Sequence, residues 1–197
     1  MRTIVIDPGH GGEDVGVRGV DGVEEKQITL EVAQRVKANI EKRVGGVRVI
    51  LTREDDRALG SDERSALANS YHADLFLSLH ANAAPGATQA GAEVFYVGPQ
   101  PAEPAAGQAS GTAPISLAVV GGSAREIELI PWDRAQARHA DASSQLAEVV
   151  EESLRDHVAM GTRSRREARL RVPVRATMPA LLVELAYPTH PQPATLA

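Results

Sequence analysis

Thr3-Ile4-Val5-Ile6-Asp7-Pro8-Gly9-His10-Gly11-Gly12 is the stretch on which the reading of the whole chain turns. The β-branched run from Thr3 to Asp7 predicts a short strand, and Pro8 to Gly12 predicts the glycine-rich loop that follows it. Downstream, Ile28, Val32, Val36 and Ile40 recur at four-residue steps, which predicts an amphipathic helix over Lys26 to Arg43. Gly45-Gly46 ends that helix, and Val47 to Leu51 reads as a second strand. Ser61 is the expected N-cap of a helix reaching about Tyr71. Leu75-Phe76-Leu77-Ser78-Leu79 reads as a buried strand that delivers His80 at its end, and Val94 to Val97 as another short strand.

Between Gly98 and Gly122 the composition shifts to Pro, Ala, Gly, Ser and Gln. We read a flexible insertion around 98–134, with one strand at Ile115 to Val120. A helical pattern resumes from about Ala135 to Met160, with Leu146, Val149, Val150 and Leu154 expected to face inward. Arg163, Arg165, Arg166, Arg169 and Arg171 are expected in a solvated loop, or as a contact surface for anionic polymers or substrate carboxylates. A last strand, Ala180 to Val183, leads directly into Glu184. Alternating strands and helices predict one α/β domain over 1–197, three-layered, with a mainly parallel twisted sheet and helices on both faces. Ligands of such sheets bind beyond the carboxyl ends of the strands, where His10, His80 and Glu184 all fall.

The bulk properties narrow the function. A chain of 197 residues, 43% hydrophobic and 24% charged, is an ordinary globular domain rather than two. The formal charge of −5 gives no reason for a nucleic-acid partner. With no cysteine, any metal must be held by His and carboxylate groups. No apolar run is long enough for a membrane span, and nothing resembling a signal peptide precedes the first strand. The chain therefore reads as a mature domain or a piece of a longer precursor.

Two imidazoles and a carboxylate suit zinc, whose catalytic sites keep three protein ligands and one open position. His10 sits between glycines, Glu25 opens a helix and His80 ends a strand. Spacing alone leaves these as candidates beside the plainer reading of unrelated surface and core residues. The Gly9 to Gly12 loop lacks both the Lys-Ser/Thr ending and the GxGxxG spacing of phosphate-binding loops.

A resemblance sharpens this. Ile4 to Gly12 resembles the opening of the zinc-dependent N-acetylmuramoyl-L-alanine amidases, a family of cell-wall amidases. Glu25-Lys26 with its helix is similar to that family's second motif. Thr52-Arg53, Arg64 with Ala68-Asn69, and Ala73 to Asn82 resemble the third, and Met178 to Glu184 the fourth. The resemblance implies one zinc per chain held by His10, Glu25 and His80, with Glu24 as the plainer alternative to Glu25. It makes Glu184 the catalytic glutamate and peptidoglycan the substrate, cut between N-acetylmuramic acid and L-alanine. It further implies a periplasmic or extracellular site of action, and it names no activator protein.

Other residues read more plainly. His72, His139 and His157 are expected at the surface or at helix ends, while His190 is harder to set aside because it follows Glu184 closely. Arg53 and Arg64 are expected to anchor carboxylates that are buried or lie just behind the site, rather than to touch substrate. Asn82 is expected to position substrate or to make a turn, and Trp132 to pack the insertion. The run Leu185-Ala186-Tyr187-Pro188-Thr189-His190-Pro191 departs from the family's Gly-Phe and Ser-Asn pattern, so the loop beside Glu184 must differ. The closing helix that the resemblance implies is not reached by Ala197. The rival functions are a wall-binding module without catalysis and a zinc peptidase of stem peptides.

Overall fold

The computed structural model describes residues 2–82, 91–98, 115–118, 124–127, 135–168 and 170–185. Strands β1 (Thr3–Pro8), β2 (Arg48–Leu51), β3 (Leu75–His80), β4 (Ala92–Tyr96), β7 (Met160–Glu167) and β8 (Ala180–Glu184) form a six-stranded sheet in the order β2-β1-β3-β8-β4-β7. A separate antiparallel pair is made by β5 (Ile115–Ala118) and β6 (Ala124–Ile127). In the main sheet β2, β1, β3 and β8 run parallel. β4 runs antiparallel to β8, and β7 follows β4 in parallel. The sheet is therefore mainly parallel, as expected, with its direction reversed at β4.

Alternation along β1 feeds two cores, because successive side chains of a strand point to opposite faces. Ile4 and Ile6 join Val49, Leu51, Leu79, Leu181 and Val183 on one face. Helices α1 (Glu25–Arg43) and α3 (Ala140–Arg155) cover that face through Val32, Ala33, Val36, Ala147 and Val150. Val5 joins Phe76, Met178 and Ala180 on the other face, where α2 (Ser61–Ser70) contributes Leu67 and Ala68. Strands sandwiched in this way read as continuous apolar runs rather than alternating ones.

Several local expectations change. Ser61 is the first helical residue of α2 and Gly60 occupies the cap, its N–H donating to the Glu63 carboxylate at 2.7 Å. The last long helix covers only Ala140–Arg155, after a short 3-10 turn at Ala137–His139. Val149 on α3 is 60% exposed, whereas Leu146, Val150 and Leu154 do pack inward. Residues 163, 165 and 166 lie on β7, not in a loop. β7 ends the sheet, and an edge strand tolerates charge because half of its surroundings are solvent. Arg165 pairs with Glu148 and Glu151 of α3, while the Arg166 guanidinium lies 5.5 Å from the Phe95 ring centroid. Arg169, Trp132, Tyr187 and His190 fall outside the described residues, as does most of the expected insertion.

Candidate metal centre

The loop after β1 carries His10 in the left-handed region at φ 61°, which costs a non-glycine residue about 1–2 kcal/mol. The neighbouring backbone offsets that cost by being held on every side. Arg64 donates to the Pro8 carbonyl at 2.7 Å and to the His10 carbonyl at 2.7 Å. Arg53 and Thr29 both donate to the Gly9 carbonyl, at 2.8 and 2.9 Å. Gly12 donates to Asp56, and Lys26 bridges Asp56 and the Gly12 carbonyl. The turned loop aims the His10 ring at the first turn of α1.

There it meets Glu25, the first residue of that helix and almost fully buried. Glu25 Oε1 lies 3.0 Å from His10 Nε2 and 3.1 Å from His80 Nδ1. The two rings stand edge to face with centroids 4.9 Å apart. One donor atom from each of the three residues falls within 4.8 Å of the others, so the group can hold a metal ion. Glu24 points elsewhere, pairing with Arg18 at 2.8 Å, which leaves Glu25 as the carboxylate of the set.

Burial alone would raise the Glu25 carboxyl. Hydrogen bonds with His10 and His80, and from the backbone N–H groups of Ala81 and Val17, outweigh it and hold Glu25 far below the usual carboxylate range. The same bond to Glu25 raises His10 above the usual imidazole value. A concentrated anionic charge between two imidazoles is the electrostatic pattern of a cation site. Two glycines make room for it. A Cβ on Gly9 would stand 2.5 Å from His80 Cε1, and one on Gly16 would overlap a Glu25 carboxylate oxygen.

Glu184 ends β8 directly opposite His80 of β3 in the sheet register. Its Oε2 is buried without a hydrogen-bond partner among the described residues. Burial pushes this carboxyl up to about 7, with Glu25 and Glu93 adding to the effect and His80 opposing it. All four residues expected from the sequence thus gather at one edge of the sheet.

Two neighbours escaped the sequence reading. Asp14 accepts from or shares a proton with His10 Nδ1 at 2.9 Å, fixing the ring so that Nε2 faces the site. Its only signal was a carboxylate four residues beyond the histidine in a tight loop. Glu93 is 6% exposed and pairs with Glu184 across β4 and β8. A charged residue inside the run Ala92-Glu93-Val94-Phe95 was its signal. Arg64 meets a buried carboxylate as expected, at Asp7, which also accepts from Thr52 and Ser78. Arg53 hydrogen-bonds instead to backbone carbonyls and the Thr29 hydroxyl, and feels the carboxylates of Asp56, Asp7 and Asp55 only through space. Asn82 lies half-buried two residues beyond His80.

A family model described as N-acetylmuramoyl-L-alanine amidase matches residues 4–197. An N-acetylmuramoyl-L-alanine amidase of Neisseria meningitidis serogroup B is 30% identical over 195 residues, covering 96% of this chain and 46% of the relative. One from Escherichia coli O6:H1 is 41% identical over 93 residues, or 47% of this chain and 22% of the relative. The chain thus spans under half the length of these curated relatives. The crystal structure of N-acetylmuramoyl-L-alanine amidase from Clostridium difficile 630 matches with a TM-score of 0.70 at 26% identity, over 96% of this chain and 81% of that one.

Proposed function

We propose that this chain, which belongs to the N-acetylmuramoyl-L-alanine amidase family, is a zinc-dependent hydrolase that cuts peptidoglycan between N-acetylmuramic acid and L-alanine. The observation that carries the reading is the convergence of His10, Glu25 and His80 beside Glu184, whose buried Oε2 has no hydrogen-bond partner among the described residues. Two imidazole nitrogens and one carboxylate oxygen, with no thiolate, form a donor set that fits catalytic zinc. Zinc bound there supplies Lewis acidity, which brings the pKa of water from about 16 to about 7 and polarises a carbonyl.

The protein's own groups do the rest. Glu184 takes the proton of the attacking water and delivers it to the amide nitrogen as the C–N bond breaks, so the L-alanine amine departs neutral. Its raised proton affinity suits both halves of that exchange. Glu25 stays ionised because four hydrogen bonds hold it so. Asp14 orients the His10 ring, and Asp14→Ala is expected to weaken zinc binding by about tenfold, read by competition against a chromophoric chelator. Affinity unchanged in that variant would remove Asp14 from the role.

This substrate implies action outside the cytoplasmic membrane, in the periplasm or extracellular space. Among the described residues no helix is long and apolar enough to cross a membrane. The deciding experiment is digestion of purified peptidoglycan followed by mass spectrometry. Free stem peptides with an L-alanine amino terminus are the expected product. Cuts inside the stem would instead mean a peptidase, and no release a binding module.

A further inference from the structure

We propose that Arg53 and Arg64 are positioning residues that lock the His10 loop to the Glu25 helix, so that the metal ligands stand in register before an ion arrives. The inference rests on the reading of His10, Glu25 and His80 as zinc ligands, and it concerns residues that touch none of the ligand atoms.

Both guanidinium groups are buried, Arg53 completely. Together they take up three successive carbonyls, those of Pro8, Gly9 and His10. That grip spans the turn in which His10 is held at φ 61°, a conformation that persists only where its surroundings over-determine it. Arg53 does more than grip one segment. Its Nη2 donates at 2.8 Å both to Gly9, the residue before His10, and to Lys26, the residue after Glu25. The same nitrogen lies 3.2 Å from the Thr29 hydroxyl, which itself donates to Gly9. One guanidinium nitrogen thus joins two ligand-bearing segments that are far apart in sequence. A lysine would lose the Nε bond to the Pro8 carbonyl and the Nη1 bond to the Asp55 carbonyl, which together fix where that nitrogen stands.

Arg64 closes the other side. It pairs with buried Asp7 at 2.8 Å while reaching the His10 carbonyl, and so ties the loop back to β1. Removing Arg64 would strand the charge of Asp7 inside the protein. Arg53 is therefore the cleaner probe, since its bonds end on backbone carbonyls and a hydroxyl.

The test compares zinc affinity in Arg53→Lys and Thr29→Val with the wild type, by chelator competition, alongside the absorption spectrum of the cobalt-substituted proteins. Thr29→Val keeps shape and helix and removes the hydroxyl ties to Gly9 and Arg53, with a longer one to the Lys26 carbonyl within the same helix. Leu154→Ala, which loosens the core beneath α3, serves as a stability control. Zinc affinity is expected to fall by about 10–100-fold in Arg53→Lys and by about fivefold in Thr29→Val. The cobalt spectrum should change in both. Leu154→Ala should lower the melting temperature and leave affinity unmoved. If Arg53→Lys does not fold, Thr29→Val decides. Variants that fold and bind zinc as tightly as the wild type would overturn the clamp alone. A wild type that binds no zinc would overturn the ligand assignment with it.

Discussion

Glu184→Gln is expected to keep about one zinc per chain and to lose hydrolysis by about 10³-fold, the usual scale for removing a general acid–base group. The amide has nearly the shape of the carboxyl but cannot accept the proton of the attacking water. Metal analysis and stem-peptide release, measured on the same preparation, separate the two effects. Full activity in the variant would remove Glu184 from its role. The same substitution carries a second signature. Below about pH 4.5 the carboxyl is neutral in both folded and unfolded chains. As pH rises, the unfolded chain ionises first while the buried group resists until about 7. The contribution of Glu184 to stability is therefore present below 4.5 and lost as pH climbs through 7. In chelator-treated protein, Glu184→Gln should be the more stable form above pH 7, by about 1–3 kcal/mol. Below pH 4.5 that advantage should vanish. Equal pH profiles of melting temperature in the two proteins would contradict the burial argument.

Gly9→Ala should abolish metal binding without altering a ligand. The added Cβ would lie 2.5 Å from His80 Cε1 and 2.7 Å from each ring nitrogen, well inside contact distance. What must yield is a side chain rather than backbone, so the ring swings away and the fold survives. Gly9 is absent from the glycines with positive φ, which means alanine meets no backbone penalty there. We expect metal content to drop below about a tenth of the wild-type value and activity to fall by at least about 100-fold, as a misplacement of about 1 Å suffices for such a loss. The melting temperature of chelator-treated protein should change little. Gly45→Ala, where no atom lies within 4 Å of the new methyl, is the matched control. Normal zinc content in Gly9→Ala would show that His80 is not a ligand in this geometry.

The central part of the fold was legible because its strands are buried on both faces, which removes polar residues from Ile4 to Ile6 and from Leu75 to Leu77. Helix α1 announced itself through one apolar stripe, and only its first residue was misplaced. The rest failed for physical reasons. β7 is an edge strand whose partner lies on one side only, so its arginines can point into water, and a charge-rich run looks like a loop. Val149 and Val150 are adjacent on α3 and so point about 100° apart, and with Val150 packed inward Val149 is left 60% exposed. Ser61 satisfied the cap rule by type, yet a Glu63 carboxylate that reaches back to Gly60 does that work instead. At the site, ligand types and strand ends could be read. Asp14, Glu93 and the reach of Arg53 could not, because they depend on distances set only when distant segments close.

The reversal at β4 has a consequence for how this scaffold tolerates change. β3 finishes at the edge that bears His80, and β4 begins at that same edge with Glu93 beside Glu184. Whatever joins them must therefore start and finish next to the chemistry. β4 then carries the chain away and releases it after Tyr96 at the opposite rim, level with Leu181. The long stretch beyond Gly98 is thus attached on the far side of the sheet from the reaction. Length can be added or removed at that attachment with the ligand-bearing strands untouched. The reversal at β4 thus puts the ligand-bearing strand ends and the attachment of that long stretch on opposite rims of the sheet.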